Sequence, residues 1–87
     1  MYVIELAFGD DPRRLQARPA HRELLKQLSA DGRLVMSGPW DDDSGALLIL
    51  DTDEAGVDEI MAADPYFETP GVTVLSVRHW TPLFGGR

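Results

Sequence analysis

His21 and Asp64 are the residues of this sequence best placed to do chemistry. His21 precedes Leu24, Leu25 and Leu28 by three, four and seven positions, and Asp64 follows Met61, Ile60 and Val57 by the same intervals. Residues at those spacings share one face of a helix. Two ionisable side chains therefore extend two apolar stripes. A carboxylate is seldom buried without a partner, and His21 is the partner expected for Asp64. A carboxylate held against an imidazole fixes the ring's tautomer and makes it a better base. Such a pair is a workable general acid–base near neutral pH. The same hydrogen bond would also serve as a plain tie between two helix ends, and the pattern alone does not choose.

The groups expected around the pair are those that would hold a ligand. Arg18 and Arg22 flank His21 in sequence and, with the amides near Gly38, would steady developing negative charge. Phe8, Ser37, Gly38 and Pro39 fall at strand ends and complete the expected substrate-binding set. Ser37 has no visible base and reads as a strand-end hydroxyl. Asp41-Asp42-Asp43-Ser44-Gly45 lacks the full ligand spacing of a calcium loop and reads as a solvated turn. His79 is expected far from His21, so no two-histidine metal site is expected within a subunit. There is no phosphate-binding glycine loop. Neither metal nor cofactor is expected.

The elements that must position these residues follow from the pattern of the chain. Tyr2–Phe8 is rich in β-branched and aromatic residues and reads as a strand, broken at Gly9-Asp10-Asp11-Pro12. Positions 13–18 lack a convincing apolar stripe. A first helix is expected from Pro19, which suits a first turn, to about Asp31, with Gly32 as its C-terminal cap. Leu24, Leu25 and Leu28 form its expected buried face, and His21 falls in its first turn. Strand two is Arg33–Ser37, ended by Gly38-Pro39. Strand three is Gly45–Leu50. Asp51 or Thr52 is expected to cap a second helix, with Glu54 at capping-box spacing from Asp51. That helix must stop near Ala63, because Pro65 disfavours helical geometry at Asp64. The last strand is Val72–Val77, ending near Trp80, and positions 81–87 read as a loop tail to one domain spanning 1–87.

The order β-α-β-β-α-β is the α+β, ferredoxin-like plan, with an antiparallel sheet and both helices on one face. Alternating chain direction puts the start of helix one, the end of helix two, Phe8, Ser37–Trp40 and Ser44-Gly45 at one end. Strand three is apolar on both faces. Strand four is expected to show Val72 and Val74 on one side and Leu75 and Val77 on the other. A sheet apolar on both sides wants a second cover, and a homodimer through the open sheet face is the simplest one.

Composition narrows the partners. The net charge is −7, which disfavours nucleic acid and anionic membrane surfaces. Six of the eight basic residues lie between positions 13 and 33; they form either a solvated helix face or an attraction for an anion. A chain this short buries only a little over ~60% of its unfolded surface, and without cysteine no disulfide supplements its core. No apolar run approaches the ~18 residues of a membrane span, and no leader is visible. The expected setting is cytoplasmic, and the expected partner beside a second copy is a small-molecule ligand.

Arg18-Pro19-Ala20-His21, Gly32, Ser37-Gly38-Pro39, Asp64-Pro65-Tyr66 and Arg78-His79-Trp80 together resemble the YciI-like (YCII-related) family, over nearly the whole chain. The resemblance implies a dimeric α/β barrel and makes His21 and Asp64 the family's catalytic pair. Related proteins include dehydrochlorinase-like enzymes acting on chlorinated hydroxyquinols, and the wider superfamily contains muconolactone isomerases. It therefore implies lyase- or isomerase-type proton transfer on a small cyclic or phenolic compound. The alternative is a non-catalytic small-molecule-binding or assembly module. The three aspartates at the expected pocket rim sit uneasily with a strongly anionic ligand.

Overall fold

In the computed structural model, which describes residues 1–86, β1 (Tyr2–Phe8) leads into α1 (Arg13–Ala30), then β2 (Leu34–Pro39) and β3 (Gly45–Leu50). Next come α2 (Glu54–Ala63), a 3-10 turn (Pro65–Glu68) and β4 (Val72–His79). The four strands form one antiparallel sheet in the order β2-β3-β1-β4. This is the expected α+β, ferredoxin-like arrangement. No helix among the described residues is long and apolar enough to cross a membrane.

One sheet face carries the core. Ile4 and Leu6 of β1, Leu34 of β2, and Leu48 and Leu50 of β3 are buried against Val57 and Ile60 of α2 and against Tyr66 and Phe67 of the 3-10 turn. Each such side chain contributes ~1.5–3 kcal/mol by leaving water. The expected apolar face of α1 is only half-buried at Leu24, Leu25 and Leu28.

α1 starts at Arg13, six positions before the expected Pro19. The Asp11 carboxylate accepts from the Arg13 amide at 3.0 Å, and Pro12 O accepts from the amides of Leu15 and Gln16. Pro19 lies inside the helix, where it removes one i→i−4 bond. Packing overrides that loss. Arg14 is buried and Ala17 packs on the core, so the stripe of His21 continues back through 17 and 14 with an arginine at its head. His21 thus lies about two turns inside α1 rather than in its first turn. The C-terminus is as expected: Gly32, at φ 81, follows the Asp31 cap, and the Arg33 amide reaches Leu28 O at 3.0 Å.

Three other expectations change. β2 does not end at Gly38-Pro39 but includes both, with Pro39 paired to Ala46; β2 is an edge strand, where a missing N–H is tolerated. The cap of α2 is Asp53, not Asp51 or Thr52, and its Oδ1 accepts from the Gly56 amide at 2.8 Å. Finally, the β1–β4 register shifts between Glu5 and Leu6. Val77 then pairs with Ile4 and Val74 with Leu6, so both valines share the core face, while Thr73, Ser76 and Arg78 align with Ala7, Glu5 and Val3 on the open face. A bulge inserts one residue and so reverses the alternation beyond it. The end of α2 at Ala63 is as expected, because Asp64 is extended (φ −115, ψ 105) before Pro65.

Candidate functional site

Asp64 owes its position to the proline that follows it. Extended backbone there turns the carboxylate inward, and both its oxygens find donors. Oδ1 accepts from the Tyr66 amide at 3.0 Å and so caps the 3-10 turn. Oδ2 meets His21 Nδ1 at 2.5 Å. His21 is 7% exposed and Asp64 5%. An ionised carboxylate only accepts, so Nδ1 is the donor toward it, and in the neutral ring Nε2 then carries the lone pair. Nε2 makes no hydrogen bond to a described residue. The ring is held between aromatics: Tyr66 stacks on it at 3.9 Å and 11°, and Phe67 meets it edge-on at 5.7 Å.

His21 lines a cavity of about 270 Å³ between α1 and the end of the sheet. Phe8, Arg18, Arg22, Ser37, Gly38 and Pro39 line it as well. Asp64 does not; it borders a separate cleft between α1 and α2. The aspartate is thus behind the imidazole, and the imidazole is between it and the cavity. Arg18 is half-buried and Arg22 exposed, and neither makes an ion pair with a described residue. His79 packs edge-on against Tyr2 at 5.1 Å, at the opposite end of β1 from Phe8.

Among the polar lining residues, Arg14 and Tyr66 lie outside the expected set, and Asp43, expected only at the rim, lines the cavity itself. Arg14 lies seven positions before His21, a spacing that marks one helix face, so the signal was present but read as polar. Its guanidinium sits 4.3 Å over the Phe8 ring, and Nη2 donates to Asp43 Oδ2 at 3.2 Å. Burial works against the Arg14 charge, but the Tyr66 phenol beside it and the Asp43 carboxylate outweigh burial and hold it above its ordinary pKa. Tyr66 belonged to a recognised motif with no role attached, and Asp43 to the loop read as a solvated turn. The neighbouring Asp42 fits that reading better: the Ser44 hydroxyl, and then the Ser44 amide that donates to it at 3.0 Å, lower its pKa.

The arrangement is that of a ring nitrogen with a fixed tautomer, facing a small cavity with cationic and apolar walls. Among known proteins, the family model of the YCII-related domain matches residues 1–81 of the chain. No curated protein is similar enough to the chain to count as a relative.

Proposed function

The chain belongs to the YCII-related domain family, and from that footing we propose that it transfers a proton on a small cyclic or phenolic organic compound, in a lyase- or isomerase-type reaction. The observation that carries the reading is the buried His21–Asp64 pair at the wall of a cavity. In this reading Nε2 of His21 takes a proton from the ligand and returns it to a second atom or to a leaving group. Asp64 holds the ring's orientation and stabilises the imidazolium formed between those steps. Arg18 and Arg22 offset negative charge developing on the ligand.

The test is turnover of small lactones, chlorophenols and hydroxyquinols by wild type and His21→Ala. A general acid–base contributes ~10²–10⁴-fold, so the variant should lose at least that lower factor. Equal turnover by both proteins removes His21 from the chemistry.

A second reading has its own support. Asp64 also caps the 3-10 turn through Oδ1, so its bond to His21 ties α1 to the segment after α2. A non-catalytic binding module would need no more than that. A ligand recovered unchanged from the purified protein after incubation, with no turnover across the panel, favours it.

We also propose that a second copy covers the open sheet face. Met36, Ile49 and Val3 stand in one register row across that face, with Leu47 in the next. Glu5 and Arg78 flank them and bring opposite charges to one surface.

A further inference from the structure

The cavity holds a guanidinium whose hydrogen bonding is incomplete. The Arg14 side chain is 9% exposed. Its Nε and Nη1 are buried and have no hydrogen-bond partner among the described residues. Nη2 donates to Asp43, and the Tyr66 phenol lies close enough to favour the charge without accepting a well-aligned bond from Nε or Nη1. A buried donor without an acceptor is costly, and native structures keep few of them. An arginine meets a carboxylate best through two parallel N–H···O bonds. Nη2 shares one fork of the guanidinium with Nη1 and the other with Nε, and its single bond to Asp43 leaves one fork half filled and the other empty.

The carboxylate already present is loosely placed. Asp43 comes from the β2–β3 loop, its side chain is 50% exposed, and its φ is 57. Aspartate tolerates that left-handed geometry better than most residues. Solvent is ready to receive the Asp43 carboxylate if another acceptor takes its place. The acidic rim is therefore no simple barrier to an anion, because one of its carboxylates already stands where an anion would bind.

We propose that Arg14 anchors the carboxylate of a small organic ligand, and that Asp43 is an internal carboxylate which that ligand displaces. The inference rests on the reading above, in that the ligand occupies the cavity His21 lines, and it names the ligand's class. Tyr66 joins the two groups. It stacks on His21 and lies beside Arg14, so anchor and base share one wall. Arg18 and Arg22 at the same cavity add attraction for an anion. A volume of about 270 Å³ falls just under the ~300 Å³ lower end of ligand pockets, which favours a compact acid.

The experiment is calorimetric titration with benzoate and cyclohexanecarboxylate, each against its neutral amide. Wild type should bind the acids at least about tenfold more tightly than the amides, the factor a charge-assisted pair supplies. Asp43→Asn removes the competitor and should tighten acid binding several-fold. Arg14→Gln should abolish the preference for acid over amide. If Arg14→Gln does not fold, Asp43→Asn decides: tighter acid binding supports the anchor, and unchanged or weaker binding overturns it. Equal acid and amide binding in wild type and Asp43→Asn also overturns it, while His21-dependent turnover would keep the proton-transfer reading. An acid preference that persists in His21→Ala, with no turnover by wild type, keeps the anchor and removes that reading instead.

Discussion

His21 and Tyr66 stack with ring centroids 3.9 Å apart and planes 11° from parallel. Tyr66 is 2% exposed and also meets Phe8 edge-on at 6.3 Å. It therefore sets the plane of the imidazole and closes the core beneath it. Tyr66→Ala should cost ~3–5 kcal/mol, the usual range for deleting a buried aromatic ring. Tyr66→Phe keeps the ring and should cost under ~1.5 kcal/mol. Urea unfolding of the two variants measures both, and a similar loss in each would place the stabilisation in the hydroxyl rather than the stack.

The His21–Asp64 pair makes a different prediction, because each partner is the other's main compensation for burial. His21→Ala leaves the Asp64 carboxylate with the Tyr66 amide alone, and breaking a buried pair in this way costs ~3–5 kcal/mol. The double variant His21→Ala/Asp64→Ala should then be less destabilised than the sum of the singles, by roughly 0.5–3 kcal/mol. Additive effects would mean that the two side chains do not depend on each other. Asp64→Asn keeps the shape and an acceptor for the Tyr66 amide but removes the anion behind the ring. It should lower turnover by about 10²–10⁴-fold with a much smaller change in stability.

The parts of this fold legible in the sequence were those set by backbone chemistry. Strand β3, the glycine after α1 and the stop of α2 before Pro65 all follow from local rules. So does the meeting of His21 with Asp64, which needs only element order and helical spacing. What stayed hidden came from tertiary context. Arg14 heads the stripe of His21 but carries a charge, and its long stem packs on Phe8, which a hydrophobic pattern does not register. Pro39 sits inside a strand because that strand is an edge. The reversal of alternation in β4 comes from a register shift opposite Glu5 and Leu6, which no residue in β4 announces. Asp43 reads as solvated until α1 is extended far enough back to bring Arg14 to it.

Acid sensitivity should trace in part to Asp11. Hydrogen bonds from the Arg13 side chain, then from its amide, hold the Asp11 carboxyl at about 2, below its ordinary 3.8. A value lowered in the folded state means that the unfolded chain binds the proton more readily. The stabilisation is therefore fully present above the ordinary value and fades as pH falls from about 4 toward 2. Thermal melts of wild type and Asp11→Asn over that range should converge as pH falls. The wild-type advantage should be largest near neutrality, and a gap independent of pH would separate Asp11 from the acid limb.

The open face of the sheet gives the last prediction. Ile49 lies between Met36 and Val3 in register, on strand β3 near the centre of the sheet. Its neighbours on that face are apolar toward β2 and charged toward β4, where Arg78 pairs with Val3. A second copy laid across this row would bury it, and a lysine at its centre would place an unpaired charge in the covered surface. Ile49→Lys should therefore sediment as a monomer at micromolar concentration while wild type sediments as a dimer. Because the open face is not the core face, far-ultraviolet circular dichroism of the variant should match wild type. A wild-type monomer, or a variant that remains dimeric, removes this face as the interface.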